Sequence, residues 1–434
     1  MSGPVTGKTY AEGEGPPGNW RSWLIWGSAA VFYLYEFFVR VGPSVMEKDL
    51  QDVYGVSAGI FGFATGIYYY IYAPMQIAVG LLLDKLGVRR VLVPAAILCF
   101  LGCLLTVLVP DIVGFGLGRA LMGFGSAFAF VGCMHLATVW FPGNRVALLS
   151  GLTTTLGMAG AIFAQRPLVE LFNAVGWRET WAFCGLGGVL IAFAMWILIP
   201  KPPPWVVPED EEASTVLNGL KAVVKNPQSW IIGLIGSALF FNLSVFGALW
   251  GDEYVETLTG ADDRSAANAI SFLYVGWAVG GPLMGAISDR LGKRKPVLMV
   301  SLIATAAVSA LMLTVSHMSM WECSALLLLL GLVSSAQVIC FVCSLEHNPD
   351  WASATAISFC NLVVMLIGGI FQPIVGWILD LRTEGALHPV YTVTDFRVAL
   401  LSMPIIAVIG IVAALFLKES YGIKEDTFEA LGEE

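Results

Sequence analysis

The sequence predicts an all-α membrane fold of twelve transmembrane helices in two pseudo-symmetric six-helix bundles, and three observations carry that prediction. Composition is the first: 57% of the 434 residues are hydrophobic and 13% charged, against roughly 45–50% and about 25% in a soluble domain. The second is the spacing of apolar runs. A helix needs about 20 apolar residues to cross the hydrocarbon core, and such runs occur at about 23–43, 58–83, 91–109, 112–139, 147–173, 180–199, 230–256, 266–288, 297–316, 319–345, 353–380 and 398–417. The third is an internal repeat: GLLLDKLGVRRVL, from Gly80 to Leu92, returns as GAISDRLGKRKPV, from Gly285 to Val297. Each copy lies between two apolar runs and holds a glycine, an acid four residues on (Asp84, Asp289), a second glycine (Gly87, Gly292) and a basic cluster that includes Arg89 and Arg90 or Arg290. A motif placed twice at the same point of a repeated apolar pattern marks two related halves, as in many secondary transporters.

The elements follow in order. Residues 1–22 are polar and rich in Gly and Pro, with no apolar core before Trp23, so they read as a tail and not a cleavable signal peptide. Residues 23–199 form the first bundle. Residues 200–229 form a central segment that opens with KPPPW, passes through the acidic PEDEE, and then sets Val216, Leu217, Leu220, Val223 and Val224 at helical spacing. That pattern reads as an amphipathic helix on the membrane face, with a plain linker as the alternative. Residues 230–417 form the second bundle and 418–434 an acidic tail. With both tails cytoplasmic, that side holds fifteen of the 23 Lys and Arg residues, as the positive-inside rule requires. The net charge of −9 comes largely from acids in tails and alternate loops. The cations form short turns, not a continuous patch, so nucleic-acid binding is not expected. All eight cysteines fall in predicted spans and suit core packing better than disulfides or metal sites, the CxxC of Cys340 and Cys343 included. No phosphate-binding Gly-x-x-x-x-Gly-Lys-Ser/Thr occurs, so neither a nucleotide site nor any cofactor or metal is expected, and the chain does not read as an enzyme.

The repeat reaches into the helices. AIFAQRPLV places Gln165 and Arg166 before Pro167, and GIFQPIV places Gln372 before Pro373 in the equivalent span. Such a pair would bring two amides near the pseudo-twofold axis.

The two loop sequences resemble the loop 2–3 and loop 8–9 signature of the major facilitator superfamily. GRALMGFGSA, Gly118 to Ala127, resembles its second signature, and VGWRETW resembles the usual entry to helix 6. The resemblance covers nearly the whole chain. It implies two bundles that rock about a central site, with Asp84 capping helix 11 on the cytoplasmic side as a latch and Asp289 as its weaker echo.

Charges inside the spans cost at least about 2.5–3.5 kcal/mol each at mid-bilayer and are functional candidates by default. Glu36 and Arg40 are four apart on one helical face and suited to pair; Arg40 reaches either the central cavity or the outer interface. FVRVGPSV resembles the first helix of two branches of the superfamily, the proton-coupled organic anion symporters and the organophosphate antiporters, in which such an arginine meets a substrate carboxylate or phosphate, and GFGSAFAFVGCMHLATVWFP resembles the anion symporters. Two departures stand out: Val39 replaces the acid usual before the arginine, and Ser126 replaces a glutamate in span 4. Span 7 offers Asn242 where phosphate-ester antiporters need a second arginine. Proton coupling is therefore expected to move to Glu36. Arg119 is read either as a partner of Glu36 or as packing, and Arg166 either as a substrate contact or as a partner of Glu170. Tyr68 and Tyr274 supply amphipathic rings. Gln337 and Asn361 are further polar candidates, while Trp250, Asp252 and Glu253 suit an external gate.

The expected function is proton-coupled uptake of a small organic anion or zwitterion (a carboxylate, amino acid or short peptide) by a monomer in the plasma or inner membrane. Efflux of amphipathic compounds or siderophores is the alternative. GLTTTLGMAG stands where drug–proton antiporters carry Gly-x-x-x-Gly-Pro, which weakens that alternative.

Overall fold

The computed structural model describes residues 18–200, 213–383 and 390–421; the side chains of Leu81, Asp84, Asn144, Ala147, Asp350 and 213–216 lie outside that description, as does the PEDEE stretch. The proposed latch of Asp84 therefore falls outside the described residues. Among the described residues, eleven helical segments are long and apolar enough to cross a membrane, and the helix Ala58–Leu86 is a twelfth. We number them spans 1 to 12: Trp20–Tyr54, Ala58–Leu86, Val88–Leu108, Ile112–Trp140, Leu148–Val175, Trp177–Leu198, Pro227–Thr259, Asp263–Leu291, Lys295–Thr314, Met320–Glu346, Ser353–Arg382 and Val393–Phe416. Spans 1 and 7 both start at the end that carries the central segment, here called the proximal end; the opposite end is distal.

Among the described residues several spans are interrupted, and the first and fourth of each half are among them. Span 1 is helical over Trp20–Val41, tightens to a 3-10 turn over Gly42–Met46 around Pro43, and resumes at Glu47–Tyr54. Span 4 divides into Ile112–Ser126 and Ala129–Trp140. Span 7 widens into a π-helix over Asn242–Trp250 between Pro227–Phe241 and Gly251–Thr259. Span 10 carries a 3-10 turn, Ser335–Gln337, between Met320–Ser334 and Val338–Glu346. Broken backbone at membrane depth is tolerated where protein or a cavity satisfies its polar groups, and π segments are frequent at functional sites.

The halves meet most closely where span 2 lies along span 11. Glycines permit the approach: a Cβ on Gly62 would stand 2.6 Å from the Gln372 carbonyl oxygen, and one on Gly66 would stand 3.1 Å from that of Gly369. Hydrocarbon offers no hydrophobic drive for helix association, so small residues that allow backbone contact carry this interface. Gly62→Val is expected to force the spans apart at a cost of about 1–3 kcal/mol, read as a lowered unfolding temperature in detergent. An unchanged temperature would refute the packing account.

At the proximal end, the helix Ala213–Lys225 packs Val223 and Leu220 against Ala352, Ala356 and Phe359, and the Trp230 indole donates to the Val224 carbonyl at 2.9 Å. The second loop motif is tied within its own half. Arg294 donates to Asp289 at 2.6 Å and to Glu346 at 3.1 Å, and its guanidinium stacks on Tyr421. Glu419 accepts the backbone N–H groups of Arg294 and Lys295 at 2.7 and 3.1 Å. Burial opposes ionisation of Glu419, yet these N–H donors hold its carboxyl below the ordinary range. Arg89 of the first motif stacks on Trp196 of its own half. Gly87 and Gly292 end spans 2 and 8 at φ of +79° and +59°, the region that favours glycine. Gly80 and Gly285 face open space.

Candidate substrate and coupling site

Arg40 lies on the last turn of the first helix of span 1, one turn beyond Glu36, and the two are ion-paired. Tyr68 of span 2 completes the group: its hydroxyl donates to Glu36 Oε1 at 2.7 Å and accepts from Arg40 Nε at 3.3 Å. Glu36 is fully buried and Arg40 is 3% exposed, so the arginine turns inward and does not reach for an interface. Its guanidinium lies 4.4, 4.9 and 5.4 Å from the ring centres of Phe37, Tyr72 and Tyr68. Across the interface between halves, Met365 of span 11 stands 4.0 Å from Arg40 Nη1. Pairing and ring faces offset part of the desolvation that two buried charges suffer. Glu36 Oε2 accepts from no donor among the described residues.

Arg119 serves the backbone. Nη1 donates to the Val39 carbonyl at 2.8 Å, Nη2 to that of Arg40 at 3.2 Å and Nε to that of Thr65 at 3.3 Å. The α-helix ends at Val41, and the last carbonyls of a helix lack intrahelical partners. Arg119 supplies them, which fixes the turn that carries Arg40. Of the two readings open for Arg119, this geometry is that of a positioning residue: its hydrogen bonds go to carbonyls and not to Glu36.

In the second half, two expected site residues brace the π-helix. Gln372 Nε2 donates to the Ser244 carbonyl at 2.8 Å, and the Tyr274 hydroxyl donates to that of Gly247 at 2.7 Å. Trp250 returns a bond to the Gln372 carbonyl at 3.0 Å. Asn242, first residue of the π segment, is 1% exposed, and neither amide atom is paired among the described residues. Gln372 Oε1 and, at the span 10 break, Gln337 Nε2 are likewise unpaired. Buried amides without partners are uncommon in folded proteins, and each of these retains an unused hydrogen-bonding group. Asn361 donates to Gln76 Oε1 at 3.0 Å, and Gln76 donates to the Ala127 carbonyl at the span 4 break at 3.3 Å. Gln76 went unnoticed in the sequence, although an amide inside an apolar run was signal enough. Tyr69 and Thr65, buried with unpaired hydroxyls, had no such mark.

Gln165 and Arg166 do not join this cluster. Span 5 breaks at Ala164–Gln165, between Gly143–Phe163 and Arg166–Val175. Gln165 Nε2 then reaches Ser44 at 3.4 Å. Arg166 is exposed and pairs with Glu170 at 3.7 Å, the bland alternative for that residue. The two Gln-Pro segments thus diverge, because span 11 runs unbroken through Pro373.

Toward the distal end, a cleft of about 110 Å³ separates the halves, lined by Ser44, Glu47 and Lys48 from the first and by Asp252, Glu253 and Glu256 from the second. Lys48 pairs across it with Glu256 at 2.8 Å and Glu253 at 3.4 Å. Close by, Asp380 at the end of span 11 accepts the backbone N–H groups of Ala58 and Gly59 at 3.0 and 2.9 Å. A carboxylate thereby caps span 2 from the other half, where it meets the positive end of the helix dipole.

The profile of the Major Facilitator Superfamily matches residues 25–259 and 232–430. The chain belongs to this superfamily. This is a family of membrane transporters, not of enzymes. A probable sulfoacetate transporter of Cupriavidus necator is 23% identical over 62% of this chain and 66% of its own length. A probable galactarate/D-glucarate transporter of Escherichia coli is 28% identical over 59% of this chain and 62% of its own. The chain thus spans a little under two thirds of the length of these relatives. In structure, the fold is similar to a crystal structure of a bacterial homolog of the human lysosomal transporter Spinster, with a TM-score of 0.74 and 16% identity over 93% of this chain and 97% of that one. In this superfamily member the cap by Asp380 mirrors, at the distal end, what the resemblance implies for Asp84 at the proximal end.

Proposed function

We propose that this transporter takes up a small organic anion together with a proton, with Arg40 as the anion contact and Glu36 as the proton carrier. The observation that carries the reading is the buried Glu36–Arg40–Tyr68 group at the interface between the halves. While ionised, Glu36 occupies the guanidinium that a substrate carboxylate or sulfonate would use. Protonation neutralises Glu36, frees the planar fork of Arg40 for a bidentate anion, and so makes proton and anion binding mutually dependent. The unpaired amides of Asn242, Gln337 and Gln372 supply neutral hydrogen-bonding groups from the other half. That the relatives above are named for sulfoacetate and sugar diacids favours this substrate class over zwitterions or amphipathic export. The same reading places both termini in the cytoplasm and the chain, as a monomer, in the plasma or inner membrane.

The test is uptake of radiolabelled small carboxylates and sulfonates into proteoliposomes with an imposed pH gradient. Accumulation should follow the gradient and collapse with a protonophore. Accumulation indifferent to the protonophore would overturn coupling, and accumulation only of amphipathic cations would favour efflux.

A further inference from the structure

The distal cleft holds more acid than its one lysine can balance. Glu47 projects from the helix Glu47–Tyr54 of the first half and Glu253 from Gly251–Thr259 of the second, and their carboxyl groups face each other within hydrogen-bonding reach. They are 2% and 5% exposed. Each has one oxygen in use: Glu47 Oε1 accepts from Gln51 at 2.8 Å, and Glu253 Oε1 meets Lys48 at 3.4 Å. Each leaves the other oxygen, Oε2, buried and without a donor among the described residues. Asp252, 4% exposed beside them, has Ser44 and Gln165 as its polar neighbours and no cation among the described residues. The surrounding groups do not correct the balance. Lys48 is half-exposed and shared with Glu256, Asp49 and Asp263 add negative charge at the rim, and the nearby Tyr391 hydroxyl is unpaired among the described residues.

We propose that Glu47 and Glu253 together form a proton-binding site between the halves, and that the distal end closes only with one proton shared across them. Two buried carboxylates in contact cannot both stay ionised. A single proton turns one of them into a donor and the other into its acceptor, so two orphaned oxygens become one hydrogen bond across the seam. Opening the distal end separates the halves, hydrates both groups and releases that proton to the distal compartment. Closure therefore takes up a proton and opening returns it, so rising pH on that side favours the open form. This site rests on alternating access but not on Glu36 as the coupling residue.

The eight native cysteines are buried, so spin labels on Leu108→Cys and His317→Cys, exposed positions near the distal ends of spans 3 and 10, report the width of the distal opening by electron–electron double resonance in nanodiscs. For the otherwise wild-type protein, distances should be short at pH 5 and lengthen toward pH 8. Glu253→Gln supplies a permanent amide donor to Glu47 and should hold the short distance throughout, and Glu47→Gln should do the same. Distances that ignore pH in the wild type, or that respond in both Gln variants as in the wild type, would overturn the site. If the response vanishes instead in Glu36→Gln and persists in Glu253→Gln, the site is wrong while the coupling role of Glu36 stands. If uptake ignores the pH gradient yet the distances behave as expected, the seal site stands and coupling through Glu36 fails.

Discussion

Arg40→Ala is expected to abolish anion binding and to destabilise the protein in the same stroke. Removing one member of a buried pair leaves an uncompensated charge, a loss of about 3–5 kcal/mol. Here the orphan is Glu36, fully buried, with only the Tyr68 hydroxyl left to it. Stability and binding separate in the double variant Arg40→Ala/Glu36→Gln, which removes both charges of the pair and leaves neither uncompensated. Its unfolding temperature should recover most of the loss while anion binding stays absent. Arg40→Lys keeps the charge but not the fork, and should weaken affinity at least about tenfold. Equilibrium binding of labelled carboxylates to purified protein measures all three. Intact affinity in Arg40→Ala would remove the residue from the substrate site.

Glu36→Gln is the second large effect. Glutamine keeps the shape and still accepts from Tyr68, but it neither binds a proton nor competes for Arg40. Counterflow exchange of substrate should survive and become indifferent to pH, whereas accumulation driven by a pH gradient should fall to the level seen without one. Persistent accumulation would place the coupling proton elsewhere. Ser126, where the resemblance leads one to expect a glutamate, lies beside Tyr68, so the carboxylate of Glu36 reaches the same neighbourhood from span 1 that a span 4 acid would reach from the other side.

Much of this was legible in the sequence because it rests on periodicity. Apolar run lengths and the doubled loop motif sufficed for the fold, and the four-residue spacing of Glu36 and Arg40 placed them on one face. What stayed hidden involves partners that carry no sequence mark. Arg119 bonds to carbonyls of Val39, Arg40 and Thr65, and any residue could supply those. Asp380 reads as an ordinary helix-end acid until span 2 arrives beside it. Glu253 reads as an acid of an external gate and Glu47 carries no mark, and only the folded interface brings them face to face. The π-helix of span 7 has no proline to announce it, since its carbonyls are held by Gln372 and Tyr274 from other spans.

That π segment has a geometric consequence. A π-helix is an α-helix carrying surplus chain, and each residue in an α-helix advances about 100° around the axis. Absorbing one residue of Asn242–Trp250 back into α-helical winding would swing everything after it, Asp252 and Glu253 included, by about that angle while the proximal part of span 7 stood still. The span thus contains slack that can be taken up or let out, between Asn242 at one end and the acids Asp252 and Glu253 just past the other.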